Sequence, residues 1–231
     1  MSKSILFFTL LLALPFCVCG QSLIILDVSG KPNGEFTLEN TNSIIKGQVL
    51  NGKKHGLWIE SFNNDNVVPQ AMATYNNGVL DGVYVELDRT GSIVKKCEYK
   101  NDKLHGSSYE WYRGGRLSKI NTYKEGILDG LQVICYDRGG RQSEEMYKDG
   151  ERNGPSTWYY EKGGKKMTIN YKKGIFDGVQ ETYYESGALK SSKSYKNNVL
   201  NGEVKEFYED GRLKSQATYV DGKLKGKVKQ Y

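Results

Sequence analysis

The sequence has little of what a catalytic protein needs. It contains two histidines, His55 and His105, and the motifs HExxH, CxxC, the P-loop and GxSxG are all missing. Each histidine stands just before a glycine, in a position that other parts of the chain fill with Asp, Asn or Lys. Both are therefore expected to be turn residues, and the acidic residues are scattered. The sequence predicts no catalytic residue, no metal site and no cofactor.

Long hydrophobic runs are also scarce, with one exception at the N-terminus. Lys3 precedes an apolar run from Ile5 to Phe16, which is too short to span a bilayer. Val18 and Gly20 have the small side chains that a signal peptidase accepts at positions −3 and −1. This pattern predicts a signal peptide over residues 1–20 and a new N-terminus at Gln21.

The cleavage region also contains Cys17 and Cys19, which raises lipidation as an alternative. Lipidated cysteines normally follow a small residue, whereas Phe16 and Val18 precede these two, so lipidation is the less favoured interpretation. The chain is therefore predicted to be exported and to be periplasmic, outer-envelope or extracellular.

Glycine and tyrosine are abundant, with 27 and 17 residues, and the mean hydropathy is −0.61. Few aliphatic side chains remain to fill a thick core. Three series repeat at a constant interval of 24 residues. The tyrosines of the first series are Tyr75, Tyr99, Tyr123, Tyr147, Tyr171, Tyr195 and Tyr219. Two glycine series keep step with them: Gly82, Gly106, Gly130, Gly154, Gly178, Gly202 and Gly226, and Gly91, Gly115, Gly139, Gly163, Gly187 and Gly211.

Each unit has the pattern of a β-hairpin. In the third unit the pattern predicts strands over Gly106–Tyr112 and Leu117–Tyr123 with a turn between them, and a link over Lys124–Gly130 to the next unit. A helix is excluded because glycines at this frequency would cost about 1 kcal/mol each. The predicted fold is all-β: an elongated single-layer antiparallel sheet or solenoid of tandem 24-residue hairpins, about 75 Å long for eight units. The predicted organisation is a signal peptide at 1–20, a degenerate repeat or cap at 21–55 and a repeat array at 56–231.

Aromatic residues occupy two adjacent positions in most units, and neighbouring residues of a strand point to opposite faces. One row is predicted to pack inside the curve of the sheet, and the other to be partly exposed. The candidate binding face consists of the tyrosines at the second position: Tyr112, Tyr136, Tyr160, Tyr184 and Tyr208. Aromatic side chains give large contact areas at low entropic cost, so this row suits recognition.

A lysine follows the repeated tyrosine in five units: Lys100, Lys124, Lys148, Lys172 and Lys196. With a net charge of +6, these residues form a candidate cationic edge for an anionic surface or polymer. The alternative is that they are solvated lysines that protect the sheet edge from aggregation. Nucleic acid is not an expected partner, given the export signal and the mixed charge of the same loops.

Cys97 and Cys135 are the two cysteines of the mature chain. Three strand spacings, about 14 Å, would separate them in the predicted register. A disulfide requires Cα atoms within roughly 7 Å. Two unpaired thiols are therefore predicted.

The segment Gly178–Tyr184 with Gly187, Leu189, Tyr195 and the preceding Lys172–Gly178 resembles the MORN-variant repeat. The resemblance covers nearly the whole mature chain. Bacterial members are often grouped with the YwqK-type antitoxin family, and eukaryotic MORN arrays are similar to scaffolds linked with membranes. The resemblance implies a binding function and supplies no catalytic residue.

Three functional hypotheses follow. The first is a non-catalytic binding or scaffold module of a bacterial cell envelope, whose partner is a protein or envelope polymer, with membrane-surface contact open. The second is an antitoxin or immunity-like protein that neutralises one toxin by tight binding. The third, a hydrolase of envelope polymers, would need paired carboxylates in a cleft.

Overall fold

The computed structural model describes residues 21–64 and 67–231, so the predicted signal peptide lies outside the described residues. Nearly all of the described chain is β-strand, and a short helix, α1 (Gln21–Ile25), opens it. The strands are β1 (Gly34–Glu39), β2 (Ser43–Leu50), β3 (Lys53–Phe62), β4 (Pro69–Asn76), β5 (Val79–Leu87), β6 (Ile93–Lys100), β7 (Lys103–Leu104), β8 (Gly106–Trp111), β9 (Leu117–Lys124), β10 (Ile127–Leu128), β11 (Gly130–Cys135), β12 (Arg141–Lys148), β13 (Glu151–Tyr159), β14 (Lys165–Lys172), β15 (Ile175–Phe176), β16 (Gly178–Tyr183), β17 (Leu189–Lys196), β18 (Val199–Phe207), β19 (Leu213–Val220) and β20 (Lys223–Gln230).

All of these strands belong to one antiparallel sheet. Each strand pairs with the strands that precede and follow it along the chain, as β12 does with β11 and β13. The two-residue strands β7, β10 and β15 extend β8, β11 and β16, since β6 pairs with both β7 and β8. The sheet is therefore a continuous meander of hairpins, and the predicted all-β repeat architecture is confirmed. Strand β3 runs across the predicted boundary at residue 56.

Two of the 24-residue series face each other in this sheet. Every repeated tyrosine from Tyr75 to Tyr219 is the cross-strand partner of a glycine on the preceding strand, as in Gly82–Tyr99 and Gly154–Tyr171. A tyrosine opposite a glycine covers backbone that has no side chain of its own, which stabilises an otherwise weak strand position. The shared spacing of the two series thus has a direct structural cause.

The same glycines mark a bend in each unit. Between β12 and β13 the pairing passes from Glu145–Ser156 to Tyr147–Arg152, so β13 has extra residues around Gly154. Such a bulge bends the strand. At Gly202, φ is +121° and an added Cβ would lie 2.8 Å from the Cβ of Ser194. Only glycine fits this backbone without strain.

The connections between units are tighter than the sequence analysis predicted. The segment Lys124–Gly130 was expected to be a link, but β9 continues to Lys124 and β10 begins at Ile127. Between them Glu125 and Gly126 both have positive φ, +50° and +84°. Two consecutive residues in this region form a type I′ turn, which matches the twist of paired strands and needs no further link. The segment that leads to the next unit is therefore a two-residue turn followed by the short strand β10.

Stacking of these turns joins successive units. The amide of Gly126 donates to the carbonyl of Leu104, and that of Gly150 donates to the carbonyl of Leu128, both at 2.8 Å. The opposite end of the later hairpins has a different turn. In one of them the amide of Tyr112 donates to the carbonyl of Arg116 and closes a three-residue loop, with Gly115 at φ +80°. The second glycine series supplies this left-handed position.

The apolar core is concentrated in the first units. Trp58 and Cys97 are fully buried, and Tyr75 and Tyr84 are nearly so. The segment after the predicted cleavage site packs against this core through Leu23, which is also fully buried.

Two polar contacts fix the N-terminal segment. The carbonyl of Leu23 accepts hydrogen bonds from Lys54 Nζ at 2.6 Å and from the Tyr75 hydroxyl at 3.3 Å. The Lys54 ammonium also lies 4.8 Å from the centre of the Tyr75 ring. Residues 21–28 therefore cap the first hairpins.

Candidate functional site

The tyrosines of the candidate binding face have a structural role at their hydroxyl groups. Four of the five hydroxyls donate to a main-chain carbonyl 23 residues later, on the next unit. The bonds are Tyr112 to Cys135, Tyr136 to Tyr159, Tyr160 to Tyr183 and Tyr184 to Phe207, at 2.6–2.9 Å. This row therefore fastens each hairpin to its successor, a role that sequence reasoning missed.

The rings of these tyrosines remain partly accessible. Tyr112, Tyr136, Tyr160 and Tyr184 are half-buried, and Tyr208 is exposed. A structural hydroxyl contact leaves the ring free to meet a ligand, so the binding role of this row stays a prediction.

Basic side chains cover three of the rings. Lys166 Nζ lies 5.9 Å from the ring centre of Tyr160, Lys190 lies 5.4 Å from that of Tyr184, and Lys214 lies 5.8 Å from that of Tyr208. An ammonium within about 6 Å of an aromatic face is attracted by the ring quadrupole. These three Tyr–Lys pairs are called rungs below. Their lysines form a further 24-residue series, which the sequence analysis did not identify.

A groove of about 370 Å³ runs beside the first two rungs. Its walls include Tyr136 and Tyr160, and Trp158 and Met167 lie between them. The ten residues that line the groove include two lysines, Lys166 and Lys190, and no carboxylate: Tyr136, Gln142, Trp158, Tyr159, Tyr160, Lys166, Met167, Thr182, Tyr183 and Lys190. The groove is therefore aromatic and cationic.

Two tyrosines of the second aromatic row, Tyr159 and Tyr183, also line the groove. The hydroxyl of Tyr159 donates to the Glu144 carboxylate and that of Tyr183 to the Glu181 carboxylate, both at 2.6 Å. Burial and the neighbouring carboxylates raise the pKa of both phenols. The groove is therefore lined by tyrosines of both rows, and the hydroxyls of the second row are bonded to carboxylates.

The middle units replace apolar core residues with a buried polar cluster. Gln132 donates to Asn121 at 2.8 Å, and Asn121 donates to the Tyr123 hydroxyl at 3.0 Å. Glu145, 3% exposed, pairs with Arg152. Paired and hydrogen-bonded in this way, the buried groups avoid the cost of desolvated unpaired charge.

The Arg152 guanidinium also packs on aromatic rings. It lies 5.9 Å from the centre of the Tyr147 ring and 5.5 Å from that of Tyr171. This cluster is structural in form, because its charged groups contact one another and tyrosines of the repeat.

The candidate cationic edge lies at the opposite end of the hairpins from the groove. Lys100, Lys124, Lys148, Lys172 and Lys196 are the last residues of β6, β9, β12, β14 and β17, and all are exposed. Lys148 pairs with Asp129 at 2.7 Å, and this contact raises the pKa of the lysine. The structure does not bring the predicted edge and the predicted tyrosine face together, and a role for the edge stays a prediction.

The cysteines and His105 do not form a catalytic or metal-binding cluster in the described residues. Cys97 and Cys135 are free and buried, and burial raises the pKa of the Cys97 thiol to about 11. His105 Nδ1 lies 3.6 Å from the Glu125 carboxylate, beside the turn. Within residues 21–64 and 67–231, no three His, Cys, Asp or Glu side chains group as metal ligands. No helix in that same part of the chain is long and apolar enough to cross a membrane.

Comparison with known families identifies the repeat. The MORN repeat variant matches residues 80–101, 152–173, 176–197 and 200–221. Each matched segment begins two residues before the glycine of a Gly–Tyr pair and ends in the following type I′ turn. No curated protein matches the chain. Two units of the same hairpin geometry lie between the first two matched segments. Four segments of the chain therefore match the MORN repeat variant, and they lie within one continuous β-hairpin array.

Proposed function

We propose that this chain is an exported, non-catalytic binding protein of a bacterial cell envelope, and that its ligand lies in the groove beside Tyr136 and Tyr160. The observation that carries the proposal is the groove itself: an aromatic surface with two lysines and no carboxylate, built on a repeat whose hydroxyl contacts hold it rigid. A rigid aromatic surface binds without a large ordering cost. The proposed ligand is a protein or an envelope polymer, which the extended sheet can contact along several units.

Export rests on the pattern of residues 1–20. A fusion of the full chain to a reporter enzyme that is active only outside the cytoplasm tests it. The full chain should give reporter activity, and a chain that begins at Gln21 should give none. Activity that is independent of residues 1–20 would remove the export part of the proposal and leave the groove untouched.

Binding at the groove can be tested with two tryptophans, one that lines the groove and one that lies outside it. Trp158 lines the groove, whereas Trp111, which holds the position of Tyr159 two units earlier, does not. Residues 21–231 would be immobilised and used to capture ligands from a native envelope fraction. Trp158→Ala should lose the captured ligand, while Trp111→Ala should retain it. Circular dichroism would confirm that both variants are folded.

The outcome also separates this proposal from the antitoxin alternative. A polymer, or several envelope proteins, released by Trp158→Ala supports a binding module. A single stoichiometric protein with toxic activity in its free form would favour an immunity role. Equal capture by both variants would contradict the assignment of the groove.

A further inference from the structure

The three rungs have a regular spacing that points to a ligand geometry. They lie on successive units, and one unit spans two strand spacings, about 9.6 Å. Tyr160, Tyr184 and Tyr208 supply the rings, and Lys166, Lys190 and Lys214 supply the charges. A ligand that meets all three must run across the strands and present a matching group at each interval.

The lysines of the rungs are available to such a ligand. All three are exposed, and in the part of the chain that the structure describes none has a carboxylate within ion-pair distance. By contrast, the turns outside the groove have pairs such as Lys162 with Glu185, at 3.8 Å. The groove lining also contains no carboxylate. The complementary ligand group is therefore anionic.

The spacing discriminates between extended chain conformations. A polyproline II helix has three residues per turn and rises about 3.1 Å per residue, so every third side chain recurs on one side after about 9.3 Å. A β-strand covers a similar length in three residues, but its side chains alternate, so every third residue would face the opposite side. Aromatic grooves also suit proline rings in this conformation. The polyproline II helix is the better match.

We infer that the three rungs, together with the groove beside the first two, bind an acidic, proline-rich segment of a partner protein in the polyproline II conformation, with a carboxylate at every third residue and one carboxylate on each rung. This inference rests on the proposed function and names its ligand class. The segment runs across the strands, and its carboxylates contact Lys166, Lys190 and Lys214 while its proline rings pack against the tyrosines and Trp158. The contacts with Tyr rings hold each ammonium in place for the ligand.

The repeat itself supplies a gain-of-function variant. Gln142 occupies, relative to Tyr136, the same position that Lys166 occupies relative to Tyr160, and it lines the same groove. Gln142→Lys therefore adds a fourth rung in register with the other three. A lysine outside the groove, Lys196, provides the matched control for charge.

The test uses residues 21–231 and a fluorescent peptide of several Glu-Pro-Pro repeats, with binding followed by fluorescence anisotropy. Lys190→Gln should weaken binding about fivefold, the factor expected for one partly exposed charge pair. Gln142→Lys should strengthen it by a similar factor when the peptide is long enough to reach four rungs. Lys196→Gln should have little effect.

A peptide of the same composition with its glutamates clustered should bind more weakly than the regular peptide. Equal binding of the two peptides, or equal weakening by Lys190→Gln and Lys196→Gln, would overturn the inference in favour of unspecific charge attraction. Binding to anionic lipid vesicles that depends on Lys190, without peptide binding, would overturn it in favour of a membrane surface. If the peptide does not bind while Trp158→Ala still abolishes capture of the envelope ligand, the proposed function stands and the ligand is of another class.

Discussion

The buried pair of Arg152 and Glu145 allows a quantitative test of what holds the middle of the array together. The Glu145 side chain is 4% exposed and the Arg152 side chain is 42% exposed. Replacing Arg152 with leucine removes the partner of a buried carboxylate. Loss of one member of a buried pair typically costs about 3–5 kcal/mol. The exposed part of Arg152 places the expected loss at the lower end, about 3 kcal/mol.

The neighbouring units define the matched double variant. Leu128 occupies the position equivalent to Arg152, and Ile169 occupies the position equivalent to Glu145. Replacing the pair with the residues of those units, Arg152→Leu with Glu145→Ile, should recover most of the lost stability. Buried ion pairs replaced by apolar residues of suitable volume are often neutral or stabilising.

Repeat arrays need not unfold in a single step, so the assay should report on this unit. Amide hydrogen exchange in β12, β13 and β14 measures the local opening free energy in the wild type, both single variants and the double variant. Thermal unfolding gives a second measure, since about 3 kcal/mol corresponds to a fall in Tm of about 6–12 °C for a chain of this size. A loss below about 1 kcal/mol for Arg152→Leu, or a double variant no better than the single one, would refute the argument.

Three further outcomes are expected. Gly47→Ala should destabilise the chain by at least about 1–3 kcal/mol in urea unfolding, because the new Cβ would lie 2.1 Å from Cδ2 of the buried Trp58 ring; a neutral result would contradict this packing. Burial lowers the pKa of Lys54 to about 8, so the unfolded state binds more protons above that value. The free energy of unfolding should therefore rise from pH 8 to 10 relative to Lys54→Met, and parallel pH profiles would contradict this. In a chain that begins at Gln21, a thiol reagent should find two thiols after denaturation and leave Cys97 protected in the native state, because its thiol is fully buried with a pKa raised to about 11; no thiols in denaturant would reveal a disulfide.

The candidate site shows which features the repeat spacing predicts and which it does not. The spacing placed Tyr160 and Tyr184 in one row but did not decide which aromatic row is accessible, and in the structure Tyr159 and Tyr183 of the other row are half-buried as well. It did not reveal that each hydroxyl reaches the carbonyl of the next unit. That contact depends on the bend and stagger of neighbouring hairpins, which a repeat length alone does not specify. The 24-residue lysine series that includes Lys190 is visible in the sequence. The position of its ammonium groups over the tyrosine rings, however, depends on the same stagger of neighbouring hairpins.

The sequence by itself determined the hairpin array, because turns and cross-strand register are local properties. A glycine with positive φ closes a loop at Gly115, and a glycine opposite each tyrosine fixes the register of its strand pair. Only the tertiary structure decided which side chains meet between units. Glu145 and Arg152 form a buried pair, and Leu23 covers the first hairpins, because the bent sheet brings together residues whose separation in the chain is unrelated to any single turn.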